Sequence, residues 1–401
     1  MTAHTLYDFV TDRLGPRLHV VHPSGRWLFV ANFASNDLSV LSIDPDSGRL
    51  ADVPGSPYPV GEGPRGVGVD PSGDFVFAAN WTGHSLSTFR VSPDGSLQEV
   101  PGSPFATGRN PRGTRLAHGG RFAYVANAGS GDITGFTVDR TTGSLTPCPG
   151  SPYPCAPEPR AMTVSFDDSF AFTVHGPSAE ISSFRIDAES GDLAPADGSP
   201  FSTTADPRFA VVSPDGTRVF VACQESNRLH KFDLEEQTGV LHETEPPLRT
   251  RRRPFQALVH ESGRFLYVAN QRSGSISGWC LDTRAGRPRR LRGSPWATGK
   301  RPVWPTFDPS GRFLYVANKR SGDISGFAID SDSGRLRPLP GSPYRAGERP
   351  RAVTMDPAGR FAIAVNEASD DVSVFASDPR NGVLTPVPGS PFPAGSIQRS
   401  E

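Results

Sequence analysis

The sequence predicts an all-β chain, a β-propeller of eight four-stranded antiparallel blades, and two observations carry that prediction. Eight times a strand ends in Val-Ala-Asn or a near variant, its last residue falling at Asn32, Asn80, Asn127, His175, Cys223, Asn270, Asn318 and Asn366. The spacing is 47 or 48 residues throughout, the mark of an array whose units cannot bury an apolar face alone. Gly and Pro, 42 and 41 of the 401 residues, recur in phase with that period and read as turns.

Within the second unit, Arg65 to Asp70 alternates as a strand and Pro71-Ser72-Gly73 turns tightly. Phe75 to Asn80 is a second strand, Leu86 to Val91 a third, and Leu97 to Val100 opens a fourth. Pro101-Gly102-Ser103-Pro104-Phe105 then leads to the next unit. Four short antiparallel strands in such a period make a propeller blade. Units open at Pro16, Pro64, Pro111, Pro159, Pro207, Pro254, Pro302 and Pro350, and the last closes at Pro388-Gly389-Ser390-Pro391. The alternative, a ring of seven blades, would leave one quartet without a place. The expected organisation is an N-terminal segment 1–15, one propeller domain over 16–395 and a tail 396–401. In the first segment, Leu6 to Val10 is a candidate ring-closing strand.

Composition excludes several classes. No stretch approaches the length of apolar chain that spans a bilayer, and Met1 to Gly15 lacks the pattern of a secretory leader. A soluble, cytoplasmic monomer is expected. None of the four cysteines has CxxC spacing and the histidines are scattered, so neither a metal nor a cofactor is expected. Cys148 and Cys155 bracket one short loop; free thiols are expected, with a disulfide as the alternative in an oxidising compartment. Between Arg249 and Arg301, thirteen Lys and Arg face two acids, a net +11 that leaves −12 for the rest of a chain whose total is −1. Such a patch suits an acidic partner or an anionic surface. Nucleic acid is not expected, because no aromatics are interleaved with the basic run.

In a propeller the inner strand starts opposite the end of the second strand. This places the residue after each opening proline beside the marker, around one mouth of the channel. Six of those eight residues are arginine: Arg17, Arg65, Arg112, Arg160, Arg208 and Arg351. A ring of guanidinium groups suits a small carboxylate or phosphate, and the first five are candidate substrate-binding residues together with Asn366. Most of the marker asparagines are read as structural, their amides satisfying loop backbone. His175 and Cys223 replace the asparagine in blades 4 and 5, and Phe255 and Val303 replace the arginine in blades 6 and 7. The channel is therefore expected to be lopsided, with an apolar wall at blades 6 and 7.

Asp308-Pro-Ser-Gly-Arg-Phe-Leu-Tyr-Val-Ala-Asn318, the Asp-Ser-Gly-Arg-Leu turn at 332–336 and the Gly-Ser-Pro-Tyr or Gly-Ser-Pro-Phe ends resemble the lactonase family of β-propellers. That family includes the propeller-type 6-phosphogluconolactonases and the carboxymuconate-lactonising enzymes, and it is usually seven-bladed. The resemblance implies a catalytic blade that pairs Pro-Arg-His with Asn-Glu-Leu. Pro350-Arg351-Ala352 and Asn366-Glu367-Ala368 stand there, so Arg351 and Glu367 match and Ala352 replaces the histidine. It also implies lactone hydrolysis, with Arg351, Arg17 and Arg208 holding the anion and the developing oxyanion and Glu367 as general base. His175 is the second candidate base. The competing expectation is a non-catalytic propeller that uses its faces and the 249–301 patch to bind a partner.

Overall fold

A computed structural model describes residues 16–282 and 287–394. These residues form eight antiparallel sheets, one per repeat, arranged as a closed ring. Eight blades, the primary expectation, are therefore present. The candidate strand at Leu6 to Val10 lies outside the described residues.

Each blade runs outward from an inner strand. In blade 1 these are Pro16–Val21, Trp27–Asn32 and Asp37–Ile43, followed by two short outer pieces, Leu50–Asp52 and Tyr58–Pro59. Both pieces pair with the third strand at different heights, so the fourth position of the blade is one strand broken in two. Gly-Ser-Pro is the break. In seven blades the serine hydroxyl accepts the third-strand N–H that the interruption would leave unpaired, as in Val40 N–H to Ser56 Oγ at 2.9 Å and Gly326 N–H to Ser342 Oγ at 2.9 Å. The segment read from sequence as a connector to the next blade, Pro101 to Phe105, thus returns to its own blade through Phe105–Ala106.

The second strands are buried along their whole length, which is why they read as continuous apolar runs rather than alternating ones. Alternate side chains enter different cores: Leu28 and Val30 pack toward blade 8, whereas Trp27, Phe29 and Ala31 pack toward blade 2. The turn that reads Asp-Ser-Gly-Arg in blade 7, with Glu-Ser-Gly-Asp and Arg-Asn-Gly-Val as its counterparts in blades 4 and 8, caps the neighbouring blade. A Cβ on Gly191 would collide with Phe122, one on Gly334 with Phe265 and one on Gly382 with Phe313. Tyr124, Tyr267 and Tyr315 donate their hydroxyls to the carbonyls of those same glycines at 2.7–2.8 Å.

The same contact closes the ring. Gly48 of blade 1 sits on Phe361 of blade 8, and the Arg360 guanidinium donates to the Pro45 carbonyl at 2.7 Å. Val21, Leu28 and Val30 share one core with Phe361, Ile363 and Val365. Among the described residues, closure is by face packing, with every sheet built from its own repeat. All four cysteines are free thiols, and among the described residues no helix is long and apolar enough to cross a membrane.

Candidate functional site at the channel mouth

The opening prolines, not the arginines after them, pair with the marker residues: Pro64 with Asn80, Pro159 with His175 and Pro350 with Asn366. Each inner strand then shifts register: in blades 2, 4, 5 and 8 the arginine is the extra residue, and in blade 3 Arg112 and Gly113 together face Ala126. This corrects the pairing expected from sequence. A bulged residue leaves the ladder and can be aimed away from the sheet, which is how the arginine side chains reach the mouth. In blade 7 the shift falls one residue later, so Trp304 is bulged, at φ 40°, while Val303 turns into the core at 4% exposure.

Strain gathers at the same rim. The residue before the opening proline is left-handed in seven blades, and six of the seven are not glycine: Asn110, Glu158, Asp206, Arg253, Arg301 and Arg349, with φ between 52° and 64°. Each costs on the order of 1 kcal/mol relative to glycine. The preceding blade holds some of them in place: Asn227 Oδ1 accepts from Arg253 N–H at 2.8 Å, and His84 Nδ1 accepts from Asn110 N–H at 3.1 Å.

Three polar and aromatic sectors result. In blades 2 and 3 the guanidiniums of Arg65 and Arg112 both lie on the Trp81 ring, 4.4 and 5.2 Å from its centroid. Arg112 Nε is enclosed without a hydrogen-bond partner, and among the described residues no carboxylate lies at ion-pair distance from this side chain. Burial, then Arg208 and Arg160, push its pKa below the ordinary arginine value against the pull of Glu158. In blades 4 and 5, Asp206 pairs with Arg160 and, at 3.6 Å, with Arg208, and Gln224 Oε1 accepts from Arg208 at 2.8 Å and Arg253 at 3.3 Å. The Arg160 guanidinium lies directly against Gly176, where a Cβ would displace it. Across blades 5 to 7, Phe209 meets Phe255 at 5.0 Å and Trp304 at 5.2 Å between centroids, both edge to face.

The family described as Lactonase, 7-bladed beta-propeller matches residues 9–154, 161–254, 246–345 and 308–397. The chain belongs to this family. Its eighth blade departs from the number in that description. Among solved structures, the fold resembles the periplasmic gluconolactonase of Pseudomonas aeruginosa, at 21% identity over 92% of this chain and 96% of that one, TM-score 0.60. It also resembles a Bacteroides fragilis protein provisionally assigned as a 6-phosphogluconolactonase, at 16% identity over 96% and 97% of the two chains, TM-score 0.60. Sqt1 of Chaetomium thermophilum has a similar fold, at 13% identity over 90% and 94%, TM-score 0.64. At these identities the likeness is one of fold. No curated protein sequence matches the chain.

In this lactonase-family propeller the matched pair does come together: Arg351 Nη1 lies 3.4 Å from Glu367 Oε1. Glu367 is nevertheless 2% exposed, with Lys319 Nζ at 2.7 Å and Arg349 Nη2 at 3.7 Å from Oε2. Both carboxylate oxygens face cations. The three cations come from blades 7 and 8. His175, the second candidate base, is 0% exposed, and its Nε2 meets Ser182 Oγ at 2.8 Å, the place a marker amide takes elsewhere. Burial pushes its pKa down to about 4. Asn366 is also 0% exposed, its amide donating to the Asp371 and Ser373 side chains of the next strand, Asp371–Ser377, at 2.6 and 2.8 Å, rather than to loop backbone. The side chain of Arg17 lies outside the described residues. Trp81, Asp206, Gln224, Phe209 and Trp304 were not singled out from sequence. The signal available for the first and third was their place immediately after the marker. Among the described residues no cluster of His, Cys, Asp and Glu could hold a metal ion.

Proposed function

We propose that the channel mouth binds a small lactone bearing a carboxylate or phosphate and hydrolyses its ring ester. The observation that carries this reading is Arg112, a cation with its Nε enclosed and unpartnered, laid on Trp81 and crowded by Arg160 and Arg208. Arg160 and Arg208 share Asp206 as a counter-ion, whereas Arg112 has no carboxylate at ion-pair distance among the described residues, and arginine can bind a ligand anion in a planar, bidentate way. The Phe209, Phe255 and Trp304 edges give the opposite side of the ligand an apolar surface. Family membership and the gluconolactonase-type neighbours support the lactonase chemistry.

In the reaction, water adds to the lactone carbonyl and the guanidiniums stabilise the oxyanion. The ring C–O bond then breaks, its oxygen takes up a proton, and a hydroxy acid leaves. Glu158, exposed at the rim, takes the proton from water: its carboxylate has no hydrogen-bond or ion-pair partner among the described residues, and Arg112 feels its charge. Glu367 positions Arg351 and Lys319. The test is hydrolysis of a panel of sugar lactones, with and without a phosphate, by wild type, Arg112→Ala and Glu158→Gln. About a tenfold or larger rise in KM for Arg112→Ala and a comparable fall in kcat for Glu158→Gln are expected. Background rates for all three proteins on every lactone would remove the catalytic reading. The burial of Glu367 favours a second reading in which the mouth binds a hydroxy acid without turning over the lactone. Binding of the acid by a chain with no lactone hydrolysis would select it.

A further inference from the structure

The loops on the mouth side of blades 6 and 7, residues 250–253, 271–274, 298–301 and 319–322, hold eight Lys and Arg and no Asp or Glu. Some of these cations are turned inward: Arg253 donates to Gln224 and Lys319 pairs with Glu367. Five are exposed at the loop crests: Arg251, Arg252, Arg272, Lys300 and Arg320. None of the five side chains has a hydrogen-bond or ion-pair partner among the described residues. Asp323, the acid that follows these loops, is committed to the Asn318 amide at 2.6 Å. The 249–301 patch seen in the sequence is thus divided by the fold. Arg264 lies in the turn between the first two strands of blade 6, at the opposite end of the sheet, and its Nε is 4.0 Å from Asp282. The crest residues gather on the mouth face with Lys300 and Arg320 of blade 7.

The extent of this crescent selects its partner. Its flanks on the same face carry carboxylates beside further cations, exposed Glu225 with Arg249 at blade 5 and exposed Glu348 with Arg345 at blade 8, and Glu62, Arg109 and Glu158 lie beyond. A planar anionic membrane or a long nucleic acid laid on the mouth face would press on those carboxylates as well as on the cations, whereas a short segment would meet cations alone. Among the described residues the one exposed large hydrophobic side chain is Phe166, in the turn after the inner strand of blade 4 and hence at the other end of the propeller. The crest loops therefore carry neither an apolar wedge for lipid nor an aromatic residue of their own; the Phe209, Phe255 and Trp304 edges belong to the inner strands. Four of its five crest cations are arginine, which matches carboxylates in bidentate fashion. We propose that the blade 6 and 7 crescent docks a short acidic polypeptide segment, a run of Asp and Glu presented by a partner protein.

The test is fluorescence anisotropy with fluorescein-labelled octaglutamate. Variants are R251E/R252E/R272E/K300E/R320E, the milder glutamine set at the same positions, and a control reversing exposed Arg49, Arg335 and Arg380 at the far end; thermal melts verify that each is folded. Wild type and control are expected to bind alike, with affinity falling about tenfold or more between ~50 and ~200 mM salt, and both crescent variants to lose about tenfold or more. Equal binding by wild type and the folded crescent variants would overturn the proposal. So would no binding of octaglutamate by wild type at ~50 mM salt, or tighter binding of duplex DNA or phosphatidylserine vesicles than of the peptide.

Discussion

Arg112 and His175 show what a single position in a repeat can do once its neighbours are known. Arg112 belongs to a series of equivalent arginines, yet among the described residues it alone combines an enclosed Nε, a place on Trp81 shared with Arg65 and two cationic neighbours. His175 takes the amide's place and binds the same serine that an amide would. Its pKa of about 4, like that of His19 at the blade 8 to blade 1 interface, is depressed chiefly by burial. Between pH 4 and the ordinary value of 6.5 the unfolded chain takes up protons that the folded chain does not. Stability is therefore full above that ordinary value and declines as pH falls toward 4, by up to about 3 kcal/mol for each histidine. His175→Asn should flatten this decline in urea titrations across the range; an unchanged slope would show that the histidine is not the source.

At the scale of strands and turns, the repeat explains itself through hydrogen bonds that a list of motifs does not contain. Gly-Ser-Pro marks the place where the outer strand breaks and a serine hydroxyl replaces a ladder acceptor. Ser342→Ala should cost about 1 kcal/mol, because the Gly326 N–H is left without its partner, and chemical denaturation would measure the loss. Blade boundaries and the second strands were legible in the sequence, because full burial on both faces produces an unbroken apolar run. The inner-strand bulge was not, since register depends on which residues pair across the sheet and a one-residue shift leaves no compositional trace. That shift is why Trp304, not Val303, faces the channel, and why the apolar wall includes Phe209 of blade 5. The left-handed rim was hidden for a similar reason: Glu158, Arg253 and Arg349 are not residues that announce a positive φ.

For the whole molecule, the period alone predicted eight blades, and eight sheets are what close the ring. The mode of closure was not legible. The Gly48 to Phe361 contact repeats the Gly191 to Phe122 contact inside the array, so blade 8 meets blade 1 as any other neighbours meet. Both glycines combine a positive φ, 71° and 75°, with a ring pressed against the Cα. Gly48→Ala and Gly191→Ala should therefore destabilise the fold by similar amounts, on the order of 2–3 kcal/mol in urea unfolding. A negligible cost for Gly48→Ala alone would indicate an open array.

Closure also sets the mouth, because only a complete ring brings the arginine sector of blades 2 to 5 opposite the aromatic edges of blades 5 to 7. Site legibility was partial for that reason: the arginines were visible as a periodic series, whereas Glu367 was matched by position and its three cations come from two blades. The most direct test of the mouth as an anion site is calorimetric titration of gluconate and 6-phosphogluconate into wild type and Arg112→Ala. Saturable binding of at least one acid by wild type, weakened about tenfold or more in the variant, is predicted. Equal affinities in the two proteins, or no binding by wild type, would contradict it.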